Sequence, residues 1–284
     1  MFIADKITEY QLLDSGGGEK LENVGGIVLQ RPDPQAIWQR VGEAPWRPHA
    51  AYERSSSGGG KWNFIKRVPE RWSISYGDLK LYVRPTGFKH IGVFPEQSAN
   101  WDYIGEMIRG AGREVRVLNL FAYTGGATLA AAAAGASVVH VDAAKSMNEW
   151  AKENAQLSGL SGAPIRYIAD DCHKFVLREQ RRGNTYDAII MDPPSYGRGG
   201  GKVWKIENDL FALVADCAKL LSGNPLFFII NSYTMGLSDV VTRNMLEICV
   251  SAKHGGGVES GTLALPQQNS KVLLPCGTTA RWYA

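Results

Sequence analysis

Cysteine is scarce and scattered. The four thiols, Cys172, Cys217, Cys249 and Cys276, form no CxxC or CxxxC pair, so neither a disulfide framework nor a cysteine-rich zinc site fits the spacing. Histidine is equally thin: His49, His90, His140, His173 and His254 form no set at metal-ligand spacing, and no metal is expected. His140, inside an apolar run, reads as a hydrogen-bonded or packed side chain rather than a ligand. No sign of charge dominates. A net charge of +3 on 284 residues says little about partners. The opening MFIADKITEY carries charges and lacks an apolar core, so it reads as no secretory signal. Val117–Val141 is free of Asp, Glu, Lys and Arg and is long enough to span a bilayer. It is broken by Asn119, Thr124, Gly125, Gly126 and Gly135, and its middle is alanine, which inserts weakly. It reads as a strand, a turn and a helix, with no membrane partner. Reduced thiols in a cytoplasm are the expectation. At 44% hydrophobic residues, the composition excludes wholesale disorder.

What is present changes character near residue 100. The first part holds short β-like runs, Gly25–Leu29, Arg71–Ser75 and Lys80–Val83, broken by glycine and proline, with Ser55–Gly60 as a hairpin tip or loop. Residues 1–86 are expected to form a small β-rich domain. Within 47–89, nine Lys or Arg stand against three acids, and Tyr52, Trp62, Phe64, Trp72, Tyr76, Tyr82 and Phe88 are interleaved. Two readings stay open there: a nucleic-acid surface, in which cations meet phosphates and rings stack bases, or a small barrel with aromatics inside and lysines in water. Residues 87–114 read as a connecting segment.

From 115 to 284 strands and helices alternate. Strands are read at Val115–Leu120, Ser137–Val141, Ile165–Ala169, Tyr186–Met191 and Leu226–Ile230. Helices are read at Gly126–Ala134, Lys145–Ser158, Cys172–Arg182, Ile206–Leu221 and Ser238–Lys253, the first three stopped by Gly135, Gly159 and Gly183. Two last β runs, Val258–Leu265 and Lys271–Tyr283, can close the sheet as an antiparallel pair. This alternation predicts an α/β, Rossmann-like domain with a mainly parallel sheet. Ligands of such sheets sit at the carboxyl ends of the strands.

The residues at those ends form a pattern. After strand one comes Phe121-Ala122-Tyr123-Thr124-Gly125-Gly126, whose paired glycines let backbone approach a ligand at a helix amino end. This is not G-x-G-x-x-G, since the third glycine is missing. After strand two come Asp142 and Ala143; the carboxylate can accept both hydroxyls of a ribose. Strand three ends at Asp170-Asp171-Cys172, placed to meet an adenine. Strand four ends at Asp192-Pro193-Pro194-Ser195-Tyr196, where two prolines leave carbonyls that no neighbouring N–H need occupy. Taken singly, Asp142 or Asp171 can be a helix cap and Gly125-Gly126 a tight turn. Together they make a nucleoside pocket with Asp192-Pro193-Pro194 beside it.

The series LNLFAYTGGATLAAAAAGA, VDAAKSMNEWAKEN, IADDCHKF and YDAIIMDPPSYGRG resembles the class I S-adenosylmethionine-dependent methyltransferases. Within them it is most similar to the bacterial large-subunit rRNA enzymes of cytosine-5 and guanine-N7 type. The likeness runs from GFKHIGVFPEQSANW to about residue 235. It implies a seven-stranded sheet with an antiparallel last strand and S-adenosyl-L-methionine as cofactor. It implies that Tyr123, Thr124 and Gly125 line the methionine portion, Asp142 the ribose and Asp171-Cys172 the adenine, with Phe94, Gln97 and Asn100 as further candidate contacts. Asp192, Pro193, Pro194 and Tyr196 become the candidate catalytic residues, and ribosomal RNA the candidate partner. The cytosine-5 enzymes carry a nucleophilic cysteine after strand five; here Ser232 holds that place, which argues for methylation of a nitrogen. Gly197–Lys205 reads as a mobile, basic lid or a plain loop. A methyltransferase for a small molecule or a protein side chain is the alternative, with a nicotinamide-dependent oxidoreductase and an inactive cofactor-binding module further off.

Overall fold

The computed structural model describes every residue except 41, 43, 56–58, 200 and 201, and the side chains of Arg198 and Lys202. The described residues fall into two compact units. The larger holds Asn100–Leu263 and Gly277–Ala284, with Met1; the smaller holds Phe2–Ala99 and Ala264–Cys276.

Seven strands matter for the site: β1 (Arg116–Leu120), β2 (Ser137–Asp142), β3 (Ile165–Ala169), β4 (Ala188–Met191), β5 (Phe227–Ser232), β6 (Gly257–Pro266) and β7 (Leu273–Tyr283). They lie in the order β6-β7-β5-β4-β1-β2-β3, with the two-residue strand Phe2–Ile3 as an eighth beside β6. β1 to β5 run parallel, and β7 runs antiparallel to β5. The expected parallel sheet with a reversed final strand is what forms, one two-residue strand wider than the seven-stranded reading.

Among the described residues, six helices of at least eight residues accompany the strands: α1 (Ser98–Gly110), α2 (Gly126–Ala133), α3 (Lys145–Leu157), α4 (Cys172–Arg182), α5 (Ile206–Ala218) and α6 (Asp239–Leu246). Side chains alternate across a strand. Leu118 and Leu120 therefore join one apolar layer with Phe175 and Val176 of α4 and Leu210, Leu213 and Val214 of α5. Val117 joins the other, with Ile104 and Ile108 of α1 and Ala131 and Ala132 of α2. Each fully buried Leu, Val or Phe contributes roughly 1.5–3 kcal/mol against exposure. Alanine in α2 lets that helix lie close to the strands. Asp171 caps α4 through Lys174 N–H at 2.9 Å, and Gly183 ends it in the left-handed conformation at φ 68°.

The smaller unit carries a five-stranded sheet, which includes the antiparallel pair Ala50–Arg54 and Gly60–Phe64, and a separate hairpin of Trp72–Tyr76 with Leu79–Val83. Part of the expected Ser55–Gly60 tip, residues 56–58, lies outside the described residues. These are open sheets rather than a closed barrel. A charge cluster is buried here. Arg31 clamps Glu22 through Nε at 2.6 Å and a terminal nitrogen at 2.8 Å, Tyr10 Oη donates to Glu22 at 2.6 Å, and Lys20 bridges Glu22 and Asp33. Burial alone would raise the Glu22 carboxyl, but Arg31 and Lys20 outweigh it and hold it at about 2.

Candidate active site

The strand order reverses between β1 and β4, and the register brings the carboxyl ends of β1, β2, β4 and β5 into line. Leu120 pairs with Val141 and Met191, and Met191 with Ile230. The next residue on each strand, Phe121, Asp142, Asp192 and Asn231, therefore stands at one edge of the sheet.

The turn after β1 is held in an uncommon shape. Phe121 and Tyr123 adopt φ of 54° and 51°, a region that L side chains rarely enter, so their surroundings must supply the energy. Tyr123 N–H donates to Asp142 Oδ2 at 2.9 Å, and Ala144 N–H to the other carboxylate oxygen at 2.9 Å. Asn154 of α3, fully buried, donates to the Thr124 carbonyl at 2.9 Å. Asn148 of α3 donates to the Asp142 and Ala144 carbonyls. Burial pushes the Asp142 carboxyl above its ordinary range, and the Ala144 and Tyr123 N–H groups draw it partly back. Beneath the turn runs a buried polar chain: Asn119 Nδ2 donates to Thr128 Oγ1 at 2.9 Å, which lies 2.8 Å from His140 Nδ1. His140 is thus the hydrogen-bonded strand residue that its setting suggested.

The paired glycines have a packing reason besides ligand approach. A Cβ at Gly125, which has φ 91°, would lie 3.0 Å from the Ala151 Cβ, and one at Gly126 would collide with the Trp101 indole. Asp171 is occupied as the α4 cap, and Asp170 pairs with Arg178. The buried Cys172 thiol accepts from Phe121 N–H at 3.3 Å, tying α4 to the β1 turn. Ala143 is exposed. Asn100, 1% exposed, donates to Asn231 Oδ1 at 2.9 Å and accepts from Arg281 Nε at 2.9 Å. Phe94 and Gln97 belong to the smaller unit, flanking and closing a one-turn 3-10 helix.

At the end of β4, Pro193 is buried while Pro194, Ser195 and Tyr196 are exposed, and Asp192 lies between. One expectation is corrected. The Pro194 carbonyl is occupied: Trp204 Nε1 donates to it at 2.6 Å. The reason is a β-hairpin where a loop was expected. Tyr196–Gly199 pairs antiparallel with Lys202–Lys205, Tyr196 opposite Lys205, and Trp204 also packs on Phe121 with ring centres 5.9 Å apart. Ser195 Oγ and Thr234 Oγ1 are 2.6 Å apart.

Residues 52–250 match a family model described as S-adenosylmethionine-dependent methyltransferase. The chain belongs to that family. A solved structure of an S-adenosylmethionine-dependent methyltransferase from Agrobacterium tumefaciens superposes with a TM-score of 0.93 at 37% identity, covering 99% of this chain and 92% of that one. A ribosomal RNA large subunit methyltransferase K/L from Shewanella frigidimarina is 31% identical over 189 residues, 66% of this chain and 26% of that protein. The enzyme of the same description from Chromohalobacter salexigens is 30% identical over 225 residues, 77% of this chain and 30% of that protein. The methyltransferase described here thus spans between a quarter and a third of the length of these two curated relatives. Its cofactor is S-adenosyl-L-methionine, as the family resemblance implied. No helix among the described residues is long and apolar enough to cross a membrane, and they hold no cluster of potential metal ligands.

Sequence reasoning missed Asn148, Asn154, Thr128, Asn231 and Trp204. Four of the five are polar and buried, and each interrupts an apolar stripe or strand, which is the signal that marks them.

Proposed function

We propose that this methyltransferase acts in the cytoplasm on RNA, ribosomal RNA in the first place, and that it methylates a nitrogen of a base. The acceptor class is supported by the names of the relatives. The choice of atom is supported by one observation above all: the residue that ends β5, where the cytosine-5 enzymes carry their cysteine, is Ser232. Ser232 is 2% exposed and its Oγ accepts Thr234 N–H at 3.2 Å, with no base to activate it. Burial pushes the Cys172, Cys217, Cys249 and Cys276 thiols upward, away from the thiolate that covalent attack needs.

The residues around the β1 turn fit the cofactor. Each Asp142 oxygen accepts one backbone N–H and keeps a lone pair for a ribose hydroxyl. The amino end of α2, from Gly126 onward, offers backbone N–H groups and a positive dipole end to a carboxylate, while the Gly125 N–H is spent on the Ala122 carbonyl, and Tyr123 and Thr124 flank it. The turn after β3, at Asp171 and Cys172, borders the adenine. When bound, S-adenosylmethionine supplies a sulfonium methyl group to the nitrogen lone pair: an N–C bond forms, the C–S bond breaks, and one proton leaves the nitrogen. Asp192 orients the amino or ring N–H and receives that proton. Tyr196, 50% exposed, stacks the base. With the Pro194 carbonyl engaged by Trp204, orientation falls on Asp192 and the Pro193 carbonyl.

The test is transfer of labelled methyl to RNA, and to ribosomal particles, from cells lacking the protein, with Asp192→Ala as control. Label in one RNA species, lost in the variant, is expected. Absence of label in both preparations, with cofactor binding intact, would overturn the reading in favour of a small molecule or protein acceptor.

A further inference from the structure

The smaller unit carries a groove of about 750 Å³, within the range of ligand-sized sites. Its walls are the end of strand Gly60–Phe64 with the loop that follows, and the residues after Leu79–Val83. Phe64, Lys66, Arg67, Pro69, Arg84 and Pro85 line it, and Glu70 is its one carboxylate. Lys66, Arg67 and Arg84 are exposed. Among the described residues, neither Lys66 nor Arg67 has an ion-pair partner.

The aromatics of residues 47–89 divide here by use. Tyr52 is core, in edge contact with Trp62; Trp62 Nε1 donates to the Thr86 carbonyl and Trp72 Nε1 to Val24; Arg71 lies over Tyr82. These serve the unit itself. Phe64 and Phe88 do not: they are 58% and 66% exposed, and Phe88 follows directly on the groove residue Gly87. A phenyl ring left in water beside three cations, in a concave wall of two prolines, suits one kind of ligand. It must be anionic along its length and present flat apolar faces at intervals. A bilayer surface is not concave, and an acidic peptide lacks regularly spaced rings.

We infer that this groove is a second RNA-binding site, separate from the cofactor pocket, that grips a single-stranded segment. Lys66, Arg67 and Arg84 hold its phosphates and Phe64 stacks a base. The inference rests on the RNA reading above, and fixes where the RNA is held rather than what is methylated.

The experiment uses the full chain and a fluorescein-labelled single-stranded RNA oligonucleotide of mixed sequence, read by anisotropy across a salt series. Lys66→Ala/Arg67→Ala is expected to weaken binding at least tenfold and to flatten the salt slope by about 1.4, two phosphate contacts at about 0.7 each. Phe64→Ala is expected to weaken binding at least fivefold with an unchanged salt slope, as loss of stacking requires. Cofactor affinity and thermal midpoint should stay at wild-type values in both, which shows that the fold is kept. Wild-type binding with unaltered affinity and slope in the variants would overturn the groove and leave the RNA reading standing. No oligonucleotide binding by the wild type would overturn the groove; joined to absent methyl transfer to RNA, it would overturn both. Loss of binding to phosphatidylserine vesicles, with RNA affinity unchanged, would overturn it in favour of a lipid surface.

Discussion

Lowering the pH from 7 to 5 should weaken the larger unit by about 2 kcal/mol through His140 alone. The imidazole is fully buried between β1, β2 and α2. Thr128 Oγ1, which accepts from Asn119, lies 2.8 Å from His140 Nδ1, leaving Nε2 as the ring's other nitrogen. That Nε2 has no hydrogen-bond partner among the described residues. Burial holds the group down at about 3, against 6.5 in an exposed histidine, while the Tyr123 backbone beside it pulls weakly the other way. Between those values the unfolded chain binds a proton that the folded one refuses. Stability is therefore complete above about pH 6.5 and falls as pH drops towards 3, by up to about 1.4 kcal/mol per pH unit. From pH 7 to 5 the binding polynomials give about 2 kcal/mol. The measurement is urea unfolding at both pH values, followed by tryptophan fluorescence, in the wild type and in His140→Gln. The comparison isolates this group from others such as His90, which burial also lowers, to about 4. The same pH dependence in wild type and variant would refute the argument.

Two further outcomes follow from the same geometry. Asp142→Ala should weaken S-adenosylmethionine binding by roughly 1.5–3 kcal/mol, about ten- to 150-fold, because hydrogen bonds to a charged acceptor are lost; unchanged affinity by calorimetry would remove Asp142 from the pocket. Ser232→Ala should leave methyl transfer within about twofold of wild type and cost about 1 kcal/mol of stability, since its hydroxyl only satisfies Thr234 N–H; abolished transfer would mean that the serine takes part in the chemistry.

The sheet was legible because its signals are local. Runs such as VLNL and FFII are too apolar to be anything but buried, and Gly135, Gly159 and Gly183 stop the helices before them. The acidic residues at the strand ends could be found once the strands were placed. The hairpin at Tyr196–Lys205 could not, because its glycines imitate a loop and its pairing is set by Trp204 reaching back to Pro194 and Phe121. The supports of the β1 turn were hidden for a related reason. Asn154 and Thr128 matter through partners 30 and 12 positions away, Thr124 and His140, and nothing in their immediate neighbours announces it. Gly125 and Gly126 were read for the right place and with half of the reason, since their contacts with Ala151 and Trp101 are tertiary.

The smaller unit borrows Ala264–Cys276 from near the end of the chain. Gln267 is buried there, bonded to Ser15 and Asp14, and Gln268 N–H donates to the Leu12 carbonyl. During synthesis, then, Phe2–Ala99 must wait for Ala264–Cys276 to be made before it can close. Vectorial folding, amino-terminal part first, is denied to it. A gene fragment ending near residue 99 would lack Gln267 and Gln268 and their bonds to Ser15, Asp14 and Leu12, so this unit is not a cassette that recombination can move on its own.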